Sequence, residues 1–208
     1  LYLGIDLGTS SLKAVLVDVA QRVVDEATAP LEVLRPRPGF SEQVPEAWWE
    51  ALAAAMRALR ARRARELAAV RAVGLSGQMH GATLLDAADR VLRPAILWND
   101  GRSGAECLEL ERREPRARAI TGNLAMPGFT APKLLWVEAH EPGIFAATRR
   151  VLLPKDWLRL RLTGEAVSDP SDAAGTLWLD VAARRWSPEM LAATHLPAEA
   201  MPRLVEGS

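Results

Sequence analysis

An apolar run over residues 2–7 is broken by Gly8-Thr9-Ser10, and apolar alternation resumes over 12–17, a pattern that predicts a β-hairpin. A turn at Ala20-Gln21-Arg22 leads into a third strand candidate, 23–34, so the opening segment reads as an antiparallel meander rather than a strand–helix–strand unit. Pro36, Pro38 and Gly39 mark a loop, and Pro45 suits the first position of a helix, although Val44 before it is a poor cap. At about 100° per residue Trp48, Leu52, Met56 and Leu59 share one face, as in a helix packed on a sheet with its tryptophans in the core. Further strands are predicted over 70–76, 82–85 and 95–98, with polar residues collecting at their ends. After Asp100 the pattern turns helical over 103–114, over 130–140 entered through Pro132, and over 154–162 ending at Thr163-Gly164, before 176–180 returns to a strand. Without repeats or low-complexity linkers, the chain reads as one α/β domain with an inserted or appended helical lobe.

Composition narrows the partners. The 208 residues are enough to bury a core, and 49% apolar with 25% charged residues is ordinary for a globular protein. Lys plus Arg equals Asp plus Glu at 26 each, so no global field draws the chain to nucleic acid or to an anionic membrane. Arg57, Arg60, Arg62, Arg63 and Arg65 scatter around their helix, which fits a solvated helix end better than a nucleic-acid patch. Cys107 stands alone, no Cys/His cluster has zinc spacing, and no window approaches the roughly 18 apolar residues of a membrane span. The opening residues have neither the basic region nor the long apolar stretch of a leader, so a cytoplasmic location is expected.

Three clusters carry candidate chemistry. Asp6-Leu7-Gly8-Thr9-Ser10 puts a carboxylate at a strand end, a glycine where backbone can approach a ligand, and two hydroxyls beside exposed amides. Such a bend can cradle phosphate, its carboxylate can hold Mg²⁺, and Lys13 on the next strand can neutralise phosphate charge. The pattern is not a P-loop, and a hairpin using Gly and polar residues for geometry alone fits equally well. In the second cluster, Gly77 and Gly81 flank Gln78-Met79-His80, where Gln78 and His80 can bond hydroxyls, or His80 can be a packed residue with its ring nitrogens satisfied, the reading that His140 and His195 invite more strongly. The third, Trp98-Asn99-Asp100-Gly101-Arg102, sets an indole beside amide, carboxylate and guanidinium, which suits stacking and hydrogen bonding of a sugar, or else makes an Asx turn with a surface ion pair between Asp100 and Arg102. Ser168-Asp169-Pro170-Ser171-Asp172 reads as a turn. Gly74-Leu75-Ser76-Gly77-Gln78 lacks the last glycine of a nucleophile elbow, which sets serine hydrolysis aside.

Together with Gly4-Ile5-Asp6-Leu7-Gly8-Thr9-Ser10, with Thr121-Gly122-Asn123, with Phe129-Thr130-Ala131-Pro132-Lys133-Leu134-Leu135-Trp136 and with Leu153-Pro154-Lys155-Asp156, these clusters resemble the amino-terminal half of the carbohydrate kinase family whose members act on xylulose, glycerol, ribulose and gluconate. Gln78-Met79-His80-Gly81 is most specific to members that take xylulose. The resemblance implies an actin-like ATPase, ribonuclease H-like α/β fold with a mixed sheet and an inserted helical lobe. It implies that 1–208 is the sugar- and phosphate-binding amino-terminal domain of a two-domain kinase whose adenine-binding domain is absent. By matching motif, Asp6 belongs to the catalytic and Mg²⁺ environment, and Gly8, Thr9, Ser10 and Lys13 face the phosphates of ATP. Gln78, Met79 and His80 go to the sugar pocket, with Trp98 and Asp100 as second-rank candidates. Gly128 stands where glycerol kinases carry an aromatic residue, which fits a bulkier ketose, and Ala139 replaces a usual polar residue with little expected consequence.

The implied reaction moves the ATP γ-phosphoryl group to the terminal hydroxyl of D-xylulose, giving xylulose 5-phosphate; dimers occur in that family. Its general-base aspartate falls beyond Ser208, so this chain alone is expected to be inactive. A kinase for another ketose or polyol, and a non-catalytic sugar-binding module, are the rival readings.

Overall fold

The computed structural model describes residues 1–207 and divides into two compact units, one formed by Leu1–Val33 with Val44–Gln78, the other by Leu34–Gln43 with the chain from Met79 onward. In the first unit β1 (Tyr2–Leu7), β2 (Ser11–Val17) and β3 (Val23–Pro30) form the expected antiparallel meander, with Asp6 opposite Lys13 and Leu12 opposite Ala29. Alternation puts Leu3, Ile5, Leu7, Leu12, Ala14 and Leu16 inside. The third strand stops at Pro30 rather than at 34: Pro30 faces Ser11, the first residue of β2, and past it the Leu31 N–H makes one more bond, to the Ser10 carbonyl of the bend. Leu34 instead bridges to Glu42 in the second unit, where β4 (Glu42–Gln43) lies.

Helix α1 (Pro45–Ala68) begins with Pro45 and, as its sequence implies, receives no side-chain cap from Val44. It packs on β2 and β3 through Trp48, Ala51, Leu52, Ala55 and Leu59, a stripe at helical spacing; Met56 and Trp49 sit at its margin, only half buried. Near its end Arg63 leaves helical geometry (φ −136, ψ 41), and Arg62 and Arg63 both bind Asp25 of β3, each at 3.1 Å. The Arg62 guanidinium, with Arg63, holds the Asp25 carboxyl down at about 2. Arg57, Arg60 and Arg65 are exposed. Strand β5 (Ala72–Gly77) then adds parallel to β1, so the sheet order β3-β2-β1-β5 is mixed.

The second unit is mostly helical around short pairings. β6 (Thr83–Leu85) will pair with a later strand, while β7 (Ala95–Ile96) runs antiparallel to β4. The strand expected over 95–98 ends at Ile96, since Leu97 opens a turn closed by the Asp100 N–H on the Leu97 carbonyl. Then come α2 (Gly104–Arg113), α3 (Ala117–Thr121), α4 (Thr130–His140), α5 (Pro142–Ala147) and β8 (Arg150–Leu152), the partner of β6. Pro132 lies in the first turn of α4, where its missing N–H breaks no helical bond. α6 (Pro154–Thr163) ends on Gly164 at φ +76, and β9 (Val167–Ser168) and α7 (Pro170–Ala173) follow.

The predicted strand 176–180 is mostly something else. A 3₁₀ turn (Ala174–Thr176) leads to Leu177 in left-handed conformation (φ +65), and only β10 (Leu179–Asp180) is extended. The Thr176 hydroxyl explains this: it donates to the Ala173 carbonyl and accepts from the Trp178 N–H, replacing strand partners with a local turn. β11 (Arg185–Trp186), α8 (Pro188–Ala193) and β12 (Arg203–Leu204) complete the unit, whose core gathers Leu84, Ile96, Leu134, Val151 and Trp178.

Candidate functional site

The site residues fall into two clusters, one in each unit. In the first unit Asp6 is exposed near the end of β1, and its carboxylate has no side-chain partner among the described residues. A Cβ on Gly8 would stand 2.9 Å from the Ser11 carbonyl oxygen, so the bend admits only glycine there without shifting backbone. Thr9 donates its hydroxyl to Gln78 Oε1 at 3.2 Å, and the Gln78 N–H donates to the Leu7 carbonyl at 2.7 Å. Gln78, 6% exposed, thus braces the hairpin bend through its Oε1 and its backbone N–H. Lys13 pairs with Glu26 at 3.3 Å on an exposed surface, a contact worth at most about 1 kcal/mol, so its ammonium is easily recruited elsewhere. Beside Asp6, on the sheet face, an open cavity of about 340 Å³ is lined by Gly4, Ile5, Val15, Gly74, Leu75 and Ser76. One exposed carboxylate next to an amide-rich bend suits Mg²⁺, which keeps most of its waters and takes few protein ligands.

In the second unit Met79 is 45% exposed, and His80, half buried, adopts a left-handed backbone (φ +64). Two groups from α4 hold its carbonyl: Lys133 Nζ donates at 2.8 Å and the Thr130 hydroxyl at 3.1 Å. Lys133, 0% exposed, also donates to the Gly128 carbonyl at 2.8 Å. Burial brings the Lys133 pKa down to about 7, with Asp100 opposing and Arg102 assisting. The His80 ring packs on Phe129 with centroids 4.6 Å apart, and its Nδ1 lies 2.7 Å from the Gly175 carbonyl oxygen. Burial pulls the His80 pKa below the usual value; the Gly175 carbonyl opposes this and the Lys133 charge adds to it.

The third motif divides. Trp98 is 43% exposed, whereas Asp100 is 2% exposed and its carboxylate is fully engaged. It accepts from the Arg102 N–H and Nε at 2.9 Å, from Arg102 Nη2 at 2.7 Å and from the Ser41 N–H at 2.6 Å. Arg102 also meets Glu42 at 2.7 Å and lies over the Phe40 ring. This corrects the sequence reading of a surface ion pair: the Asp100–Arg102 pair is buried, and it holds the turn behind Trp98. Gly128 has a steric reason of its own, because a Cβ there would meet the Trp98 carbonyl oxygen at 2.6 Å.

Reading the sequence passed over the supports: Thr130, Lys133 and Gly175 around His80, and Ser41 and Glu42 around Asp100. Lys155, quoted there only as part of a family motif, lies 2.6 Å from Asp156, 3.0 Å from Asp169 and 2.9 Å from Asp172. Asp169 makes the expected turn, capping α7 by accepting the Asp172 N–H. Burial lifts Asp156 to about 6 despite Lys155. His140 and His195 do have bonded ring nitrogens, on the Trp136 carbonyl and on Glu138; both residues are exposed, and the His140 ring stacks on Trp136 with centroids 4.6 Å apart.

A mixed sheet broken by a glycine hairpin, joined to a helical unit that carries an indole and an imidazole, defines an actin-like ATPase domain of the sugar kinase type. The whole chain, residues 1–208, matches the N-terminal domain of the FGGY family of carbohydrate kinases, and it belongs to that family. It is 61% identical over 208 residues to the xylulose kinase of Escherichia coli K12 and 60% identical to that of Klebsiella pneumoniae, covering all of this chain and 43% of each relative. Among solved structures, the kinase from Brucella ovis described as a xyloylose kinase superposes with a TM-score of 0.97 at 61% identity, over 99% of this chain and 42% of that one. A gluconate kinase from Lactobacillus acidophilus reaches 0.91 at 25% identity, over 98% of this chain and 41% of that one. The chain thus spans less than half the length of the relatives it matches.

Proposed function

We propose that residues 1–208 form the amino-terminal, sugar- and phosphate-binding domain of an ATP-dependent kinase that converts D-xylulose to D-xylulose 5-phosphate. The observation that carries this reading is the 61% identity to a xylulose kinase over 208 residues, the whole of this chain. In this reading the bend of Gly8, Thr9 and Ser10 receives the phosphates through N–H and hydroxyl donors. Lys13 leaves Glu26 to meet phosphate charge, and Asp6 is the residue that would hold Mg²⁺, which when bound neutralises charge on the phosphate oxygens. Gln78 braces the bend through Thr9. Met79, His80 and Trp98 form the sugar wall, the indole taking the apolar face of the ketose and the imidazole a hydroxyl. The general base and the adenine contacts are assigned outside residues 1–208. A cytoplasmic location follows from the need for ATP; no helix among the described residues is long and apolar enough to cross a membrane.

Rates of phosphorylation of D-xylulose, D-ribulose and glycerol by the complete protein test the proposal. We expect kcat/KM for xylulose to exceed the others by about 100-fold or more. Preference for ribulose or glycerol would move the activity to another acceptor, and sugar binding without phosphorylation would favour a non-catalytic module.

A further inference from the structure

His80 is held from three directions, and the holding groups dictate which face of its chemistry is left over. A carbonyl oxygen only accepts, so the 2.7 Å contact with Gly175 requires the proton on Nδ1. Nε2 is then a lone-pair acceptor, and it has no protein partner among the described residues. Neutrality is favoured by burial and by the Lys133 charge, which both depress the imidazole pKa.

Gly175 is needed at this contact for steric reasons. Its own backbone is not left-handed, so an L residue is conformationally acceptable there; yet a Cβ would stand 2.4 Å from both Cε1 and Nδ1 of His80. Only a residue without a side chain lets the imidazole reach that carbonyl. Beneath the ring, the left-handed His80 backbone is unfavourable for a residue that carries a Cβ. Two bonds to its carbonyl, from Thr130 and Lys133, offset that cost. Lys133 adds a bond to Gly128, so one buried amine fixes both the His80 loop and the loop that precedes α4. The turn carrying Gly175 is anchored in its own right, through the Lys155 contacts with Asp169, which caps α7, and with Asp172 within it.

We propose that Gly175, supported by Thr130 and Lys133, is a positioning residue that locks His80 as the Nδ1-protonated tautomer, so that this subsite demands a hydroxyl donor from the sugar and rejects an analogue unable to donate there. The proposal rests on His80 belonging to the sugar pocket, as argued above.

The test uses the complete protein labelled with ¹⁵N-histidine, the His80 signals being assigned by their loss in His80→Asn. Wild type should show a protonated Nδ1 and a bare Nε2; a protonated Nε2 in wild type would overturn the proposal without any variant having to fold. Gly175→Ala should abolish that signature and weaken D-xylulose binding by about 10- to 100-fold while leaving ATP affinity in place. Deoxyfluoro-xyluloses, whose fluorine accepts but cannot donate, should be discriminated against at one position by wild type and not by His80→Ala. Loss of sugar affinity in His80→Ala together with wild-type affinity and tautomer in Gly175→Ala would overturn this inference alone. Unchanged sugar affinity in His80→Ala would overturn the pocket assignment and the inference with it.

Discussion

The Asp6 bend and the His80 cluster solve opposite problems. At the bend the backbone is rigid and the charged side chains are uncommitted: Gly8 leaves no room for a Cβ, while Asp6 is exposed and Lys13 sits in a weak surface pair. Around His80 the side chains are committed in advance. A buried lysine, a threonine hydroxyl and a glycine carbonyl fix one imidazole, and a buried carboxylate–guanidinium network holds the turn behind Trp98. Under the proposed function, the contrast matches what phosphoryl transfer asks of its two substrates: a highly charged polyphosphate would be met by amides and movable charges, and an uncharged sugar told apart from its isomers by donors and acceptors held in advance.

Substitutions can sharpen this contrast. The largest loss is expected for Lys133→Met, which takes from the Gly128 carbonyl its lysine donor and leaves the His80 carbonyl with Thr130 alone, and should destabilise the protein by about 2–4 kcal/mol in denaturant unfolding. It should also change the pH dependence. Lys133 has a folded pKa of about 7 against an ordinary value of 10.5. Between those values the unfolded chain binds more protons, so this group makes wild-type stability rise with pH, and the methionine variant should lose that rise. Next comes Gly8→Ala, which forces backbone apart at the bend and should weaken ATP binding by about 10-fold or more with little effect on xylulose. If it weakened the sugar equally, the separation of the two clusters would fail.

Smaller again is Asp156→Asn. Because the folded carboxyl of Asp156 is raised to about 6 from an ordinary 3.8, the folded state holds the extra proton between those values. Wild-type stability should therefore fall from this group as pH rises from about 4 to about 6, and the amide should flatten that slope in pH-dependent melts. The smallest change is expected for Lys13→Met: within about 0.5 kcal/mol in stability, since its pair with Glu26 is exposed, but with a several-fold loss of ATP affinity.

What was legible in the sequence was whatever local pattern determines. Alternation gave the meander, Pro45 and a helical stripe gave α1, and Gly164 closed α6. The supports of His80 were hidden because their partners are distant in the chain: Lys133 lies 53 residues away and Gly175 lies 95 away. Lysine ordinarily marks a surface, and a glycine that is not left-handed gives no backbone signal. The burial of the Asp100 ion pair was hidden for the same reason, since Ser41, 59 residues away, supplies one of its donors. The strand expected over 176–180 failed because one threonine hydroxyl competed for the backbone, which apolar periodicity does not register.

Whether His80 holds the sugar independently of the Asp6 bend is read most directly by parallel titrations of D-xylulose and ATP into the complete protein and its His80→Ala variant. We predict that the variant loses about 10-fold or more in xylulose affinity and keeps its ATP affinity within about 2-fold. Equal losses for both ligands, or no loss for xylulose, would contradict it.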